Sequence, residues 1–202
     1  MNKGLMIVIS GPAGSGKGTV MRHLLETGDF AYSVSATTRA PREGEVAGVN
    51  YHYITREEFE SRLASGGMLE YTEYCGNYYG TPKKEADQVL SSGKNLILEI
   101  EVEGAINIKN RFPEAVLIML LPPSFSIQEA RLRGRGTDPE DKILKRLEQT
   151  RRELTLVDHY DYVITNEDNK AKEAADDIFT IVHSEKLSAK RKPDIAKIYF
   201  EN

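Results

Sequence analysis

The chain has 202 residues, 40% of them hydrophobic, enough for one compact α/β unit that buries roughly 70% of its unfolded surface. Its 27 Lys and Arg against 31 Asp and Glu leave a formal charge of -4, which excludes the basic footprint of a nucleic-acid-binding surface but not a local positive pocket for a small anion. Cys75 is the single cysteine and the four histidines (His23, His52, His159, His183) lack metal-ligand spacing, so a disulfide framework and a Cys/His zinc site are excluded and a reducing cytoplasm is expected.

Residues 5–9 form an apolar run that is too short for a signal peptide and is followed by a glycine-rich turn rather than a cleavage site. The run reads as a buried strand. Behind the turn, Val20, Met21, Leu24 and Leu25 recur at helical spacing and predict one buried helix face. From 32 to 79 the signal is mixed. Val49, Tyr51 and Tyr53 alternate like a half-exposed strand, and Thr55-Arg56-Glu57-Glu58 is a capping box opening a short helix. Residues 68–74 read as another strand with Gly76-Asn77 as its turn, which predicts a small antiparallel insertion over one end of a main sheet. Residues 96–100 and 116–121 are almost continuously apolar, as in parallel strands covered on both faces. The second stops at Pro122-Pro123, far short of the ~20 residues of a membrane span. Residues 124–147 are rich in Arg around Gly134 and Gly136 and suit a mobile flap, and Asp138-Pro139 marks a helix start. Ile143, Leu144, Leu147 and Leu154 predict a helix, 162–165 a strand, and Ala174, Ala175, Ile178, Phe179 and Val182 a further helix. From Lys190 a charged tail reads as a solvated extension, in which Tyr199 and Phe200 either dock or stay disordered. Alternating strands and helices imply a parallel sheet with helices on both faces.

The turn is Gly11-Pro12-Ala13-Gly14-Ser15-Gly16-Lys17-Gly18-Thr19, set between a buried strand and an amphipathic helix. Glycines let successive backbone N–H groups close around phosphate oxygens, the helix N-terminus adds partial positive charge, and Lys17 adds a full one. Gly18 stands where the strict motif has a Mg²⁺-binding hydroxyl. Thr19 lies about 100° further round the helix, where it suits a phosphate, so no direct protein ligand for Mg²⁺ is assigned; water-mediated binding through Glu99 or Glu101 is expected. Arg39 and Arg42 lie in the hydroxyl-rich segment 33–42. Their paired forks could clamp one phosphate; with nothing else beside them, two loop arginines read as solvated.

Five stretches in order, Gly-Pro-Ala-Gly-Ser-Gly-Lys, Ser-Ala-Thr-Thr-Arg-Ala-Pro-Arg, Gly-Asn-Tyr-Tyr-Gly-Thr, Glu-Ile-Glu-Val-Glu-Gly-Ala and Arg-Gly-Arg-Gly-Thr, resemble the guanylate kinase family of P-loop nucleoside monophosphate kinases and span the chain to about Asn166. The resemblance implies a P-loop three-layer α/β fold with a parallel central sheet, here a CORE of residues 1–32, 88–123 and 150–189, a mixed α+β GMP-binding insertion of 33–87, a LID of 124–149 and a tail of 190–202. It implies phosphoryl transfer from ATP to GMP with Mg²⁺, and no nucleic-acid or membrane partner. By the same resemblance Arg39, Arg42, Tyr51 and Tyr79 hold the GMP phosphate, Ser35, Glu70 and Thr81 read the base, and Glu101 lies near its amino group. Arg135 lies against adenine, Arg131 and Arg146 reach the transferred phosphate, and Asn166 touches the adenine region. The chemistry agrees for Glu70, because guanine offers N1–H and N2–H donors side by side where adenine offers a bare acceptor. Two other readings are a chemically inert interaction module, against which the intact Lys17 and lid arginines speak, and the same enzyme with another nucleoside monophosphate as acceptor. The sequence leaves the oligomeric state open.

Overall fold

A computed structural model describes residues 3–42, 44–74, 76–134, 136 and 138–201, without the side chain of Tyr74. Strands β1 (Met6–Ser10), β2 (Phe30–Tyr32), β7 (Asn95–Glu99), β8 (Val116–Leu121) and β9 (Tyr162–Thr165) form a five-stranded sheet in the order β2-β7-β1-β8-β9. All of its pairings are parallel. A second sheet, β4-β3-β6-β5, joins β3 (Ala36–Thr37), β4 (His52–Tyr53), β5 (Met68–Tyr74) and β6 (Asn77–Pro82). The helices are α1 (Lys17–Glu26), α2 (Arg56–Ala64), α3 (Lys83–Ser91), α4 (Val102–Arg111), α5 (Phe125–Gly134), α6 (Glu140–Leu154), α7 (Ala171–Leu187) and α8 (Ile195–Glu201).

The pleat of β1 sends alternate side chains to opposite faces of the sheet. Ile7 and Ile9 join Ile97, Ile118 and Leu120 under Val20, Met21 and Leu24 of α1 and Ala174, Ile178 and Val182 of α7. Met6 and Val8 join Leu96, Leu98 and Leu117 under Leu90 of α3 and Ala105 and Ile108 of α4. Burying each such aliphatic side chain contributes about 1.5–3 kcal/mol relative to leaving it exposed. Both faces are therefore covered, and the three-layer α/β architecture anticipated from the sequence is the one observed. Among the described residues no helix is long and apolar enough to cross a membrane.

Several local expectations change. Leu25, Leu144, Leu154 and Phe179 are exposed, because the buried stripes of α1, α6 and α7 are narrower than the apolar periodicity; Phe179 settles against the Phe30 ring at the stripe's edge. The strand expected around Val49 shrinks to His52–Tyr53, because residues 46–50 turn back on themselves: Asn50 N donates to the Val46 carbonyl, and Val46 N donates to Asn50 Oδ1. The small sheet is mixed rather than antiparallel throughout, since β3 and β4 run parallel through His52 N to Ser35 O and Ile54 N to Thr37 O. Its own core is Ala36, Phe59 and Met68, and Thr55 caps α2 by accepting from Glu58 N. Residues 125–134 and 140–147 of the expected flap are helical: α5 and α6 pack through Leu132, Ile143 and Leu147 against Ala13. The tail ends in α8, with Ile195, Ile198, Tyr199 and Phe200 exposed.

Candidate active site

Three parallel strands carry the site at their carboxyl ends: β1 runs into the glycine-rich turn, β7 into Glu99 and Glu101, and β9 into Asn166. Gly11 (φ 146°) and Gly16 (φ 86°) hold positive dihedrals. A Cβ would lie 2.1 Å from the Leu120 carbonyl oxygen at Gly11 and 2.3 Å from Asn166 Nδ2 at Gly16. Only glycine fits either place. Gly16 precedes α1 and no side chain caps that helix, so its first N–H groups remain for an anion.

The loop carbonyls are gripped from outside. Lys17 Nζ reaches back to Gly11 O at 2.6 Å and Pro12 O at 3.4 Å. Gln128 Nε2 donates to Ala13 O at 2.8 Å, Arg131 to Gly14 O at 3.3 Å, and Asn166 Nδ2 to Ser15 O at 2.8 Å. Among the described residues no peptide is cis, and in a trans peptide the N–H points away from its carbonyl. Holding the Ala13 and Ser15 carbonyls outward therefore turns the N–H groups of Gly14 and Gly16 to the opposite side, where they suit phosphate oxygens. Ser15 Oγ and Asn166 Oδ1 are buried without hydrogen-bond partners among the described residues. Pro12 is buried, while Gly18 and Thr19 are exposed on the first turn, with open space around Gly18.

Glu99, at the end of β7, has its carboxyl pushed above the usual range by burial and by Glu101, against the pull of Lys17 and a hydrogen bond from Tyr32. Glu101 is exposed where α4 begins, and its carbonyl accepts from Ala105 N.

The second group lies on the small sheet. Glu70 is 6% exposed and accepts from Thr81 Oγ1 at 2.8 Å; burial raises its carboxyl pKa above the ordinary value. Ser35, half-buried, precedes β3 on the same sheet. Arg39 pairs with both oxygens of Glu45, at 2.9 and 3.0 Å. Its guanidinium stands 5.6 Å from the Tyr51 ring centroid, and Tyr51 meets Tyr79 edge-on at 5.9 Å. Arg39, Tyr51 and Tyr79 thus converge as one cluster, and Glu45 holds it: Arg42 N and Tyr53 Oη also donate to its carboxylate, at 2.8 Å each. Arg39 and these donors depress the Glu45 pKa to about 2. The Arg42 side chain is exposed beside this cluster.

Of the lid arginines, Arg131 lies on the loop, paired with Asp168 at 2.6 Å and with Asn166 O at 2.9 Å. Arg146 pairs with Asp138 at 3.2 Å. Arg133 is engaged by Glu129 and Glu140. Arg135 lies outside the described residues. Sequence reasoning passed over Glu45, Asp168 and Gln128. Glu45 pairs with Arg39, six residues earlier in a loop, and takes only the backbone N–H of Arg42, so no regular spacing marks it. Gln128 occupies the buried face of α5 four residues before Leu132, and a polar residue at an apolar-period position is a legible signal.

A family model described as guanylate kinase matches residues 3–185. Guanylate kinase from Desulfitobacterium hafniense (strain Y51) is 46% identical over 193 residues, spanning 95% of this chain and 96% of that protein. The Bacillus subtilis (strain 168) guanylate kinase is 47% identical over 191 residues, 94% of this chain and 93% of that one. The crystal structure of guanylate kinase from Anaplasma phagocytophilum is similar at TM-score 0.77 and 31% identity, covering 98% of this chain and 94% of that one. With a glycine-rich turn at the carboxyl edge of its parallel sheet and a buried carboxylate on a second small sheet, and matched along nearly its whole length, the chain belongs to the guanylate kinase family.

Proposed function

We propose that the chain transfers the γ-phosphoryl group of ATP to GMP, and to dGMP, giving ADP and GDP, in the cytoplasm as part of guanine nucleotide synthesis and recycling. The reading is carried by one observation: a buried carboxylate, Glu70, held by Thr81 on a sheet separate from the phosphate cradle. An ionised carboxylate accepts from the adjacent N1–H and N2–H of guanine and meets the bare N1 of adenine lone pair to lone pair, so the acceptor base is guanine.

Residues 11–19 and Lys17 bind the ATP phosphates, with Arg135 and Asn166 toward the adenine. Arg39, Arg42, Tyr51 and Tyr79 take the GMP phosphate, while Ser35, Glu70, Thr81 and Glu101 surround its base. A GMP phosphate oxygen attacks the γ-phosphorus, the bond to the β-bridging oxygen breaks, and ADP leaves with that electron pair. Such a transfer needs alignment and cations more than covalent help, and a single arginine can supply about 10³–10⁵ in rate; Lys17, Arg131 and Arg146 are the cations for it. The division into CORE (1–32, 88–123, 150–189), insertion (33–87), LID (124–149) and tail (190–202) assigns ATP to the first and third and GMP to the second.

Among the described residues no three His, Cys, Asp or Glu side chains gather as a metal cage. Mg²⁺ needs none, since it keeps several waters and binds through phosphates and one or two carboxylates. Glu99, at the carboxyl end of β7, would fit that outer role. When bound, the ion neutralises charge on the phosphates.

A coupled assay offering GMP, dGMP, AMP, CMP and UMP with ATP tests the assignment. GDP and dGDP formation is expected; turnover of AMP at a rate comparable to GMP would overturn it.

A further inference from the structure

Gln128 is 1% exposed, yet carries a primary amide among apolar neighbours. Its Nε2 donates to the carbonyl of Ala13 at 2.8 Å and to Thr150 Oγ1 at 2.7 Å. Both partners are acceptors toward it: a carbonyl can only accept, and Thr150 spends its own proton on the Arg146 carbonyl at 3.0 Å. These two acceptors fix which end of the amide faces the loop, although Oε1 is left buried without a partner among the described residues. A group so constrained, with one uncompensated oxygen, is costly as packing material. Its geometry serves the loop instead.

We propose that Gln128 is a positioning residue for the phosphate cradle. By holding the Ala13 carbonyl outward it aims the Gly14 N–H at the donor nucleotide's phosphates. Through Thr150 it fastens that peptide to the turn of α6 that carries Arg146. Helix α5 abuts the loop at this point, since a Cβ on Gly14 would lie 3.4 Å from Gln128 Cγ and Leu132 Cγ. The Ala13–Gly14 peptide is therefore set by α5 and α6 across 115 residues of chain, and a purely apolar side chain at 128 would leave it free to rotate. Donor-nucleotide affinity then depends on a residue that touches neither substrate.

The inference rests on the reading of residues 11–19 as the ATP site. Its test is calorimetric titration of the full chain with ADP and, separately, with GMP. Gln128→Leu is expected to weaken ADP binding about three- to tenfold, the worth of one misdirected hydrogen bond, with GMP binding unchanged. Thr150→Val, which removes the acceptor that steadies the amide together with the hydroxyl that donates to the Arg146 carbonyl, is expected to weaken ADP about two- to threefold. The double variant should lose no more than Gln128→Leu alone, because both act through one contact. A folded Gln128→Leu protein that binds ADP like the parent, or loses ADP and GMP affinity equally, would overturn the role. Should that variant fail to fold, unaltered ADP affinity in Thr150→Val would do so. A parent chain that takes up no ADP would bring down the functional reading as well, whereas a parent that binds ADP and a variant that matches it would sink the Gln128 inference alone.

Discussion

Replacing Glu70 by Gln changes little in shape and much in hydrogen bonding. The carboxylate is 6% exposed and Thr81 Oγ1 donates to its Oε1 at 2.8 Å. A glutamine amide in that place offers one acceptor where the guanine edge needs two, and turns an N–H toward one of the guanine donors. A hydrogen bond to a charged partner is worth about 1.5–3 kcal/mol, so kcat/KM for GMP is expected to fall roughly 10- to 150-fold. ATP affinity should stay within about twofold, since the loss falls on the acceptor alone. Stability should move the other way. Burial raises the native Glu70 pKa, so the native state holds its proton more tightly than the unfolded chain. Glu70 therefore favours folding below its unfolded pKa and loses that contribution as pH rises through the raised value. The glutamine variant is then expected to be more stable than the parent at pH 8, with the gap closing toward pH 5. A coupled assay with GMP and with ATP as the varied substrate, beside thermal unfolding at the two pH values, reads both effects. Equal losses for the two substrates would remove Glu70 from the base site.

Lys17→Met should abolish turnover, about 10³-fold or more for a cation on the transferring phosphates, while circular dichroism stays native; near-parent activity would refute the cradle. The parent's KM for GMP should rise as pH falls from neutrality toward the ordinary carboxylate value, because protonated Glu70 loses its acceptor pair while Glu45, held near 2, stays ionised. The KM for ATP should not follow it over that interval. Glu45→Gln loosens Arg39, Tyr53 and the Arg42 backbone together and is expected to raise the KM for GMP about tenfold through mis-set phosphate contacts; an unchanged KM would show that the cluster holds its shape without the carboxylate.

The central strands were the easiest part to read. Residues 116–121 are apolar at every position because both faces of the sheet are covered, and the observed strand has those bounds. The glycine-rich turn was equally legible, since positive φ at Gly11 and Gly16, with the Leu120 carbonyl against the one and the Asn166 amide against the other, favours glycine at both. The limits of the lid and of the small sheet were not. Gly134 and Gly136 marked a flap without showing its helices; Leu132, Ile143 and Leu147 find Ala13 beneath them, and that partner lies more than a hundred residues away and leaves no local trace. Val49 carries strand propensity, yet Asn50 ties its own turn and leaves Val49 exposed. In the site, residue types announced Arg39 and Glu70, whereas the groups that hold them still, Glu45 for the one and Thr81 for the other, are set by pairings that only the folded chain makes.

The parallel sheet has one further implication. Because β1, β7, β8 and β9 all point the same way, the glycine-rich turn, Glu99 and Asn166, proposed for the donor nucleotide, gather at one rim, and the connection from α3 into β7 lies at the other. The turn at Ser92 and Gly93, between α3 and β7, belongs to that silent rim. A reporter peptide or fluorophore grafted there would ride on the catalyst as a passenger, taxing its melting temperature and leaving its turnover number alone.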